Sequence, residues 1–210
     1  MPEGPEVAVL TESLAIRYSQ GWELCGAQLV SGRYAEPAAE PKGWELLAQA
    51  MPARLVSVNW HGKFLYFQFE SAAAPGGYVW LWSTLGLTGG WSVRSGHPYT
   101  RLALTLTRPP DAEGGKHTEQ LYFYDRLNYG TLKASSARSE LDAKLAKLGA
   151  SWIGASGVSL TLPAFHALLR KGGKPQQRRR LARRARSARR ALLTPQRSPG
   201  SHTIAAARET

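Results

Sequence analysis

Charge is distributed unevenly along this 210-residue chain, and the distribution limits where a folded core can form. Residues 1–169 contain 14 Lys or Arg and 14 Asp or Glu, whereas residues 170–210 contain 13 basic residues and one acid and carry the whole excess of +12. Arg178–Arg190 alone holds eight arginines in thirteen positions, and no aromatic residue follows Lys171. Such a composition cannot bury enough apolar surface to fold. We therefore expect residues 172–210 to form a basic, disordered tail.

Short segments with alternating apolar residues fill the region before this tail and favour a β fold. Arg54–Trp60 and Phe64–Phe69 predict two strands joined by a turn at His61–Lys63, and Trp22–Tyr34 predicts a strand pair or one long strand. Further short strands are predicted at Tyr78–Ser83, Trp91–Arg94, Arg101–Thr107, Gln120–Tyr124 and Gly130–Ala134. Strands at this spacing, separated by loops rich in Gly and Pro, indicate a β-sandwich.

Helical patterns lie on both sides of these strands. Apolar residues three and four apart predict an amphipathic helix over Pro5–Gln20, and Trp44–Met51 predicts a short one. After Ser136 the pattern is helical again, with a second helix near Leu162. The predicted fold is α+β: an antiparallel β-sandwich flanked by helices in residues 1–135, the start of a helical domain in 136–171, and the tail.

The first residues place a proline beside a carboxylate. If Met1 is removed, Pro2 becomes a secondary amine, and an N-terminal amine has a pKa near 7.7–8.0, so a useful fraction is nucleophilic at neutral pH. Glu3 could handle protons in the same site. The alternative is a proline-rich end that frays.

Composition also limits cofactor and compartment. Cys25 is the only cysteine, which excludes an internal disulfide or a zinc site with two thiolates, and the five histidines show no ligand spacing, so we expect no metal and no cofactor. No apolar run is long enough to span a membrane, and the start lacks the features of a signal peptide. We expect an intracellular protein, nuclear if the source is eukaryotic.

Several motifs in a fixed order together resemble the formamidopyrimidine-DNA glycosylase and endonuclease VIII family of base-excision repair enzymes, most closely its zincless, endonuclease VIII-like branch. The resemblance covers roughly residues 2–170. It rests on PEGPEV at Pro2–Val7, GRY at Gly32–Tyr34, GKFLYFQF at Gly62–Phe69, STLGLTGGWS at Ser83–Ser92, YTR at Tyr99–Arg101 and YDRLNYGTL at Tyr124–Leu132.

The resemblance implies a monomeric enzyme that clamps damaged duplex DNA between the sandwich and a helix-two-turns-helix domain. It implies that Pro2 attacks the anomeric carbon of a flipped nucleotide and that the resulting iminium drives β,δ-elimination. Glu3 would be the general acid and base. Lys63 matches a catalytic lysine that holds a phosphate near the lesion and assists release of the base; the alternative is a solvated turn lysine.

The same resemblance assigns side chains that contact DNA. Leu87 would fill the gap left by the flipped base, and Tyr129 would wedge against the orphan base. The alternative for either is an ordinary core residue. Leu127 stands where formamidopyrimidine-type enzymes have an arginine that contacts the opposite cytosine, which favours oxidised pyrimidines or hydantoins as substrates. Three arginines are candidate phosphate contacts, with structural salt bridges as the alternative: Arg33, Arg101 and Arg126.

Two further points stay open in the sequence. Glu6 could cap the first helix or position Pro2, and we favour the structural role. No asparagine follows Asn128, so the second-domain asparagine of the family is absent, and the pattern breaks near Gly172–Pro175. The tail would be either the product of a frameshifted or mis-spliced gene model, or a genuine arginine-rich segment that binds DNA by counterion release or directs nuclear import. The function is accordingly a bifunctional glycosylase and lyase, or a DNA-binding fragment without catalysis.

Overall fold

The computed structural model describes residues 3–19, 21–36, 39–108, 115 and 117–148. Within them the fold is α+β, as predicted, with an antiparallel sheet and few helices. The helices are α1 (Gly4–Arg17), α2 (Trp44–Gln49) and α3 (Arg138–Lys147). No helix in this part of the chain is both long and apolar enough to cross a membrane.

Eight strands form one hydrogen-bonded sheet in which every neighbouring pair is antiparallel. The strands are β1 (Glu23–Leu29), β2 (Ala53–His61), β3 (Phe64–Glu70), β4 (Tyr78–Thr84), β5 (Gly89–Ser92), β6 (Thr100–Arg108), β7 (His117–Asp125) and β8 (Thr131–Ser135). Their order across the sheet is β5-β7-β6-β1-β2-β3-β4-β8. Consecutive strands mostly pair with each other, as short β-hairpin connections favour.

The sheet folds over so that its two halves face each other across the core. Trp91 on the edge strand β5 packs edge-on against Phe67 of β3, with ring centroids 4.9 Å apart, and also contacts Phe123 of β7. Its indole N–H donates to Ser83 Oγ on β4 at 3.1 Å. Because β5 and β4 lie far apart in the strand order, these contacts give the sheet the layered form of a sandwich.

Strands β3 and β4 are buried on both faces, which explains their nearly continuous hydrophobic sequence. Alternate residues such as Phe67 and Leu81 enter the main core, whereas Trp80 and Trp82 lie in a second cluster on the other face. Helix α3 covers that second cluster through Leu141.

Helix α1 packs its buried face against β2 and β3, and its far end is fastened by polar contacts. The Glu119 carboxylate accepts two hydrogen bonds from the Arg17 guanidinium, at 2.8 and 2.9 Å, and one from the Tyr18 hydroxyl. Burial and the neighbouring Glu119 carboxylate raise the pKa of Tyr18 to about 12. These contacts attach the C-terminal end of α1 to β7. Together with the packing on β2 and β3 they fix the direction in which the helix crosses the sheet.

The structure corrects the prediction of a strand pair or long strand over Trp22–Tyr34. Strand β1 ends at Leu29, and Arg33–Ala35 forms a short 3-10 turn. Gly32 has φ +77°, a left-handed conformation that breaks the extended chain, and Ser31 donates to the Thr100 carbonyl instead of continuing a ladder.

One other strand is displaced from its predicted position. The strand predicted at Trp91–Arg94 lies at Gly89–Ser92. It begins with two glycines, which have low strand propensity but occupy positions where neighbouring atoms leave no room for a side chain. The domain boundaries near 135 and 171 stay predictions. The helix predicted near Leu162 and the tail at 172–210 lie outside the described residues.

Two loops meet at the end of the sheet where β4 and β7 terminate. Gly86, in the β4–β5 loop, has φ +58°, and a Cβ added to it would lie 2.9 Å from the Gly130 nitrogen and 3.1 Å from the Tyr129 Cβ. The β7–β8 loop, Arg126–Gly130, therefore packs directly on the backbone at Gly86. Glycine is required there for its conformation and for this close approach.

We predict that Gly86→Ala is markedly more destabilising than Gly96→Ala. Gly96 also has a left-handed φ, +80°, but a Cβ added there would meet nothing within 4 Å. The control should lower the free energy of unfolding by about 1 kcal/mol through backbone strain, and Gly86→Ala by about 2–4 kcal/mol, because the clash with backbone atoms adds to that strain. Denaturant unfolding measures both variants, and equal losses would contradict the packing described.

Candidate functional site

One end of the sheet, here called the site end, gathers most of the residues that the sequence singles out. Strand pairing places the β2–β3 turn beside the end of β4, since Phe64 pairs with Thr84, and the end of β4 beside the start of β8, since Thr84 pairs with Thr131. The first turns of α1 also reach this end, because Glu6 and Leu10 line a cleft there. The site end thus combines a turn, two loops and a helix start.

The helix start is organised by its own carboxylates. Glu6 accepts a hydrogen bond from the Glu3 backbone N–H at 3.0 Å, which satisfies a donor that the first turn leaves free, and its charge suits the helix N-terminus. Glu6 thus makes a capping hydrogen bond in the first turn, and its positioning of Pro2 stays a prediction. Both residues are exposed at the start of α1. Pro2 lies outside the described residues.

The side chains of Leu87 and Tyr129, here called the apolar pair, project from the two loops of the site end. Leu87 is 43% exposed and Tyr129 is 62% exposed, so neither is a core residue. The backbone at Gly86, next to Leu87, packs against Tyr129 and Gly130, so the two loops that carry these side chains are in contact. Leu127 is 41% exposed on the same loop. Clustered exposed apolar groups of this kind mark contact surfaces.

A buried carboxylate holds the β7–β8 loop in place. Asp125 is fully buried; its carboxylate accepts hydrogen bonds from the Gly130 N–H at 2.6 Å and from the Thr88 hydroxyl. The Thr88 hydroxyl in turn accepts a hydrogen bond from the Leu127 N–H at 3.0 Å. Asn128, between these anchors, has φ 58°, a conformation that asparagine tolerates better than most residues.

Arg33 and Arg101 are occupied by contacts within the protein. Arg33 donates to the Tyr34 hydroxyl at 2.8 Å and to the Gly130 carbonyl. Arg101 donates from Nε to the Asp125 carbonyl at 2.9 Å and from Nη1 to Ser31 Oγ at 2.9 Å. Both guanidinium groups thus bind carbonyl and hydroxyl oxygens and hold the β7–β8 loop. The structural alternative considered from the sequence was a salt bridge to a carboxylate, which neither arginine forms within the described residues. Their contact with a phosphate stays a prediction.

Lys63 and Arg126 differ from these two arginines. Both are exposed at the site end, Lys63 in the β2–β3 turn and Arg126 at the start of the β7–β8 loop. Among the described residues neither side chain has a hydrogen-bond or ion-pair partner. Two cations without partners beside an exposed apolar pair suit a ligand that carries both negative charge and flat apolar surfaces.

A cleft of about 600 Å³ opens between the start of α1 and the loops of the site end. It is lined by Glu6, Val7, Leu10, Leu85, Leu87, Thr88, Gly89, Gly90, Trp91, His97, Pro98, Tyr99, Tyr124 and Arg126. One wall is aromatic, because the His97 ring stacks on Tyr124 with centroids 4.2 Å apart and the planes 25° apart. The cleft offers an aromatic wall, a carboxylate and a cation to a ligand.

Sequence reasoning missed Asp125, Thr88 and His97. Asp125 lies inside the YDRLNYGTL motif, but nothing in that motif shows that its carboxylate is buried. Thr88 acts through a partner 37 residues away, and His97 lies in a loop without a pattern. In the described part of the chain, no group of three His, Cys, Asp or Glu side chains could hold a metal ion.

Comparison with known proteins gives one family. The sequence model of the formamidopyrimidine-DNA glycosylase N-terminal domain matches residues 1–132. The MutM (FPG) protein from Thermus thermophilus has 27% sequence identity and a TM-score of 0.57, with 83% of this chain and 55% of that chain covered. No curated protein matches the chain.

Structures with DNA are similar in fold. An FPG mutant from Lactococcus lactis in complex with Fapy-dG containing DNA, and MutM in complex with carbocyclic 8-oxo-G containing DNA, each have a TM-score of 0.51 and 20% identity. In both cases the match covers 70% of this chain and 48% of the other. The chain spans about half the length of the structures it matches. Through residues 1–132, more than half of its length, this chain belongs to the formamidopyrimidine-DNA glycosylase family.

Proposed function

We propose that the chain acts on duplex DNA that carries oxidised bases, as a glycosylase and abasic-site lyase. The observation that carries the proposal is the composition of the site end: an exposed apolar pair, two exposed cations with no partner in the part of the chain that the structure describes, and the acidic start of α1 beside a cleft. Relatives of similar fold are described in complex with DNA containing modified bases. Each part has a task that duplex DNA would require.

Binding to DNA would use the exposed cations. Lys63 and Arg126 have no protein partner among the described residues, so they can neutralise phosphates without first breaking an ion pair. A base can be acted upon only after it leaves the stack, and the gap that it leaves must be filled. Leu87 and Tyr129 are exposed and apolar and lie on two loops that pack together at Gly86, which suits that task.

The chemistry would take place at the start of the chain. The Pro2 amine would form a bond to the anomeric carbon as the glycosidic bond breaks and the base leaves with the electron pair and a proton. Glu3 would donate a proton to the sugar-ring oxygen as the ring opens to the iminium. The iminium would then accept the electron pair of the C2′–H bond as that proton is removed, and the resulting enamine would expel the 3′ phosphate with this pair. Loss of the C4′ proton would supply the pair that expels the 5′ phosphate in the same way. Glu3 is exposed at the start of α1, where it is accessible to a bound sugar.

The substrate class follows from Leu127. Its side chain has no hydrogen-bond donor or acceptor, so it cannot distinguish opposite bases by their edges as an arginine can. We therefore propose that the chain accepts oxidised pyrimidines or hydantoins without strict selection of the opposite base. This choice rests on that departure from the formamidopyrimidine pattern, and the proposed placement in the zincless endonuclease VIII-like branch rests on the sequence motifs.

Borohydride trapping on abasic DNA tests the chemistry directly. The wild-type chain should form a covalent adduct, and Pro2→Gly should lose it. Pro75→Gly is the matched control, since Pro75 lies in the β3–β4 loop at the other end of the sheet, and should keep the adduct. Binding of abasic DNA by the wild-type chain without an adduct would leave the noncatalytic DNA-binding function.

Cleavage of duplexes containing thymine glycol or 8-oxoguanine tests the substrate class. The pyrimidine lesion should be cleaved with either purine opposite it. Cleavage of the purine lesion alone would contradict the assignment.

The salt dependence of DNA binding tests the two cations. Removing one phosphate contact should lower the slope of log K against log salt by about 0.9, so we expect this change for Lys63→Gln and for Arg126→Gln. Arg54→Gln is the matched control, because Arg54 is exposed but paired with Glu70 and lies at the other end of β2. Equal slopes for all three variants would contradict the assignment of the site end to DNA.

A further inference from the structure

Asp125 is a buried ionisable group to which the proposed chemistry gives no task. Its side chain is fully buried, and no Lys, Arg or His side chain in the described part of the chain forms an ion pair with it. A buried carboxylate is costly unless strong hydrogen bonds compensate for its lost hydration. Asp125 accepts two, from the Thr88 hydroxyl and the Gly130 N–H.

These hydrogen bonds join the two loops that carry the apolar pair. Gly130 follows Tyr129 directly, and Thr88 follows Leu87 directly, so each anchor lies one residue from an exposed apolar side chain. A carboxylate only accepts, so the Thr88 hydroxyl must donate to Asp125, which leaves its lone pairs for the Leu127 N–H at 3.0 Å. The Thr88 hydroxyl therefore bridges the two loops, donating one hydrogen bond to Asp125 and accepting one from the Leu127 N–H.

The backbone of the same loop is held independently. Arg101 donates to the Asp125 carbonyl at 2.9 Å, and the Asp125 N–H donates to the Tyr99 carbonyl at 3.0 Å. Asp125 thus stays attached to the sheet even if its carboxylate loses a partner. Loss of the Thr88 bridge should accordingly change the loops above Asp125 more than the strand below it.

From this geometry we propose that Asp125, acting through the Thr88 hydroxyl, is a positioning residue that fixes the spacing of Leu87 and Tyr129 for insertion into a gap in the base stack. This inference rests on the proposed function, because the gap is the one that an extruded base leaves. Loops fixed before binding lose less conformational entropy when they bind. The network should therefore increase the preference for DNA with a gap over intact DNA.

The test compares binding to a duplex with a tetrahydrofuran abasic-site analogue and to the same duplex intact. Thr88→Val keeps the shape of the side chain but removes the hydroxyl bridge. It should reduce the preference for the duplex with the abasic-site analogue about tenfold, the loss expected for a hydrogen bond to a charged group. Asp125→Asn should act in the same direction, since Thr88 and Gly130 donate to different carboxylate oxygens and asparagine would place an NH2 donor against one of them. Thr88→Ser keeps the hydroxyl and should restore the preference.

Thr107→Val is the matched control for loss of a buried threonine hydroxyl. Thr107 is buried on β6, and its hydroxyl lies 3.3 Å from that of Thr118, far from the site end. Thr107→Val should leave the preference for the duplex with the abasic-site analogue unchanged. A similar reduction in Thr107→Val, or an unchanged preference in Thr88→Val, would overturn the proposal.

Hydrogen exchange on the DNA-free protein separates this inference from the proposed function. The Leu127 and Gly130 amides should be protected in the wild-type chain, with protection of Leu127 lost in Thr88→Val and retained in Thr88→Ser. A wild-type chain that binds neither duplex would refute the proposed function and with it the positioning role, although protected amides would still confirm the bridge. Rapid exchange of both amides in the wild-type chain would refute the bridge itself.

Discussion

The contact between Trp91 and the opposite half of the sheet is the interaction on which the arrangement of the site end depends. Trp91 is almost fully buried, its ring packs against Phe67 and Phe123, and its N–H binds Ser83. The packing fixes the edge strand β5, and β5 follows Leu87 and Thr88 directly in the chain. Because Ser83 lies just before the same loop, the two ends of the β4–β5 loop are tied together. Apolar burial in the core thus determines where an exposed leucine projects.

Polar groups of the site end divide into those that hold the loops and those that remain accessible. Arg33, Arg101 and Asp125 are half-buried or buried and use their hydrogen bonds on backbone and hydroxyl groups of the loops. Lys63 and Arg126 are exposed and have no partner in the described part of the chain. Charge alone does not distinguish these roles; burial and hydrogen bonding do.

The sequence was sufficient for the elements whose periodicity is strong. The β2–β3 hairpin was predicted because its apolar residues alternate around Gly62–Lys63, and α1 because its apolar residues recur at helical spacing. The end of β1 could not be predicted, since it depends on Gly32 adopting a left-handed conformation beside Arg101. The displacement of β5 has a similar cause, because two glycines form strand only through tertiary contacts.

The candidate site was predictable residue by residue but not in its connections. Family motifs indicate Leu87 and Tyr129, and the structure adds that both are exposed and lie on loops whose backbones pack together at Gly86. The network that connects them could not be foreseen, because Asp125 and Thr88 are brought together by the fold and have ordinary sequence neighbours. The role of Arg33 and Arg101 as loop anchors likewise depends on which carbonyl oxygens lie within reach.

The central claim is that the site end is the surface that contacts DNA. The most direct test is mapping of backbone amide chemical shifts as a duplex with an abasic-site analogue is added to the chain. We expect the largest changes at Lys63, Leu87 and Arg126–Gly130, with little change in the Ser71–Gly77 loop at the other end of the sheet. Changes confined to that opposite loop, or to the arginine-rich residues 178–190, would contradict the claim.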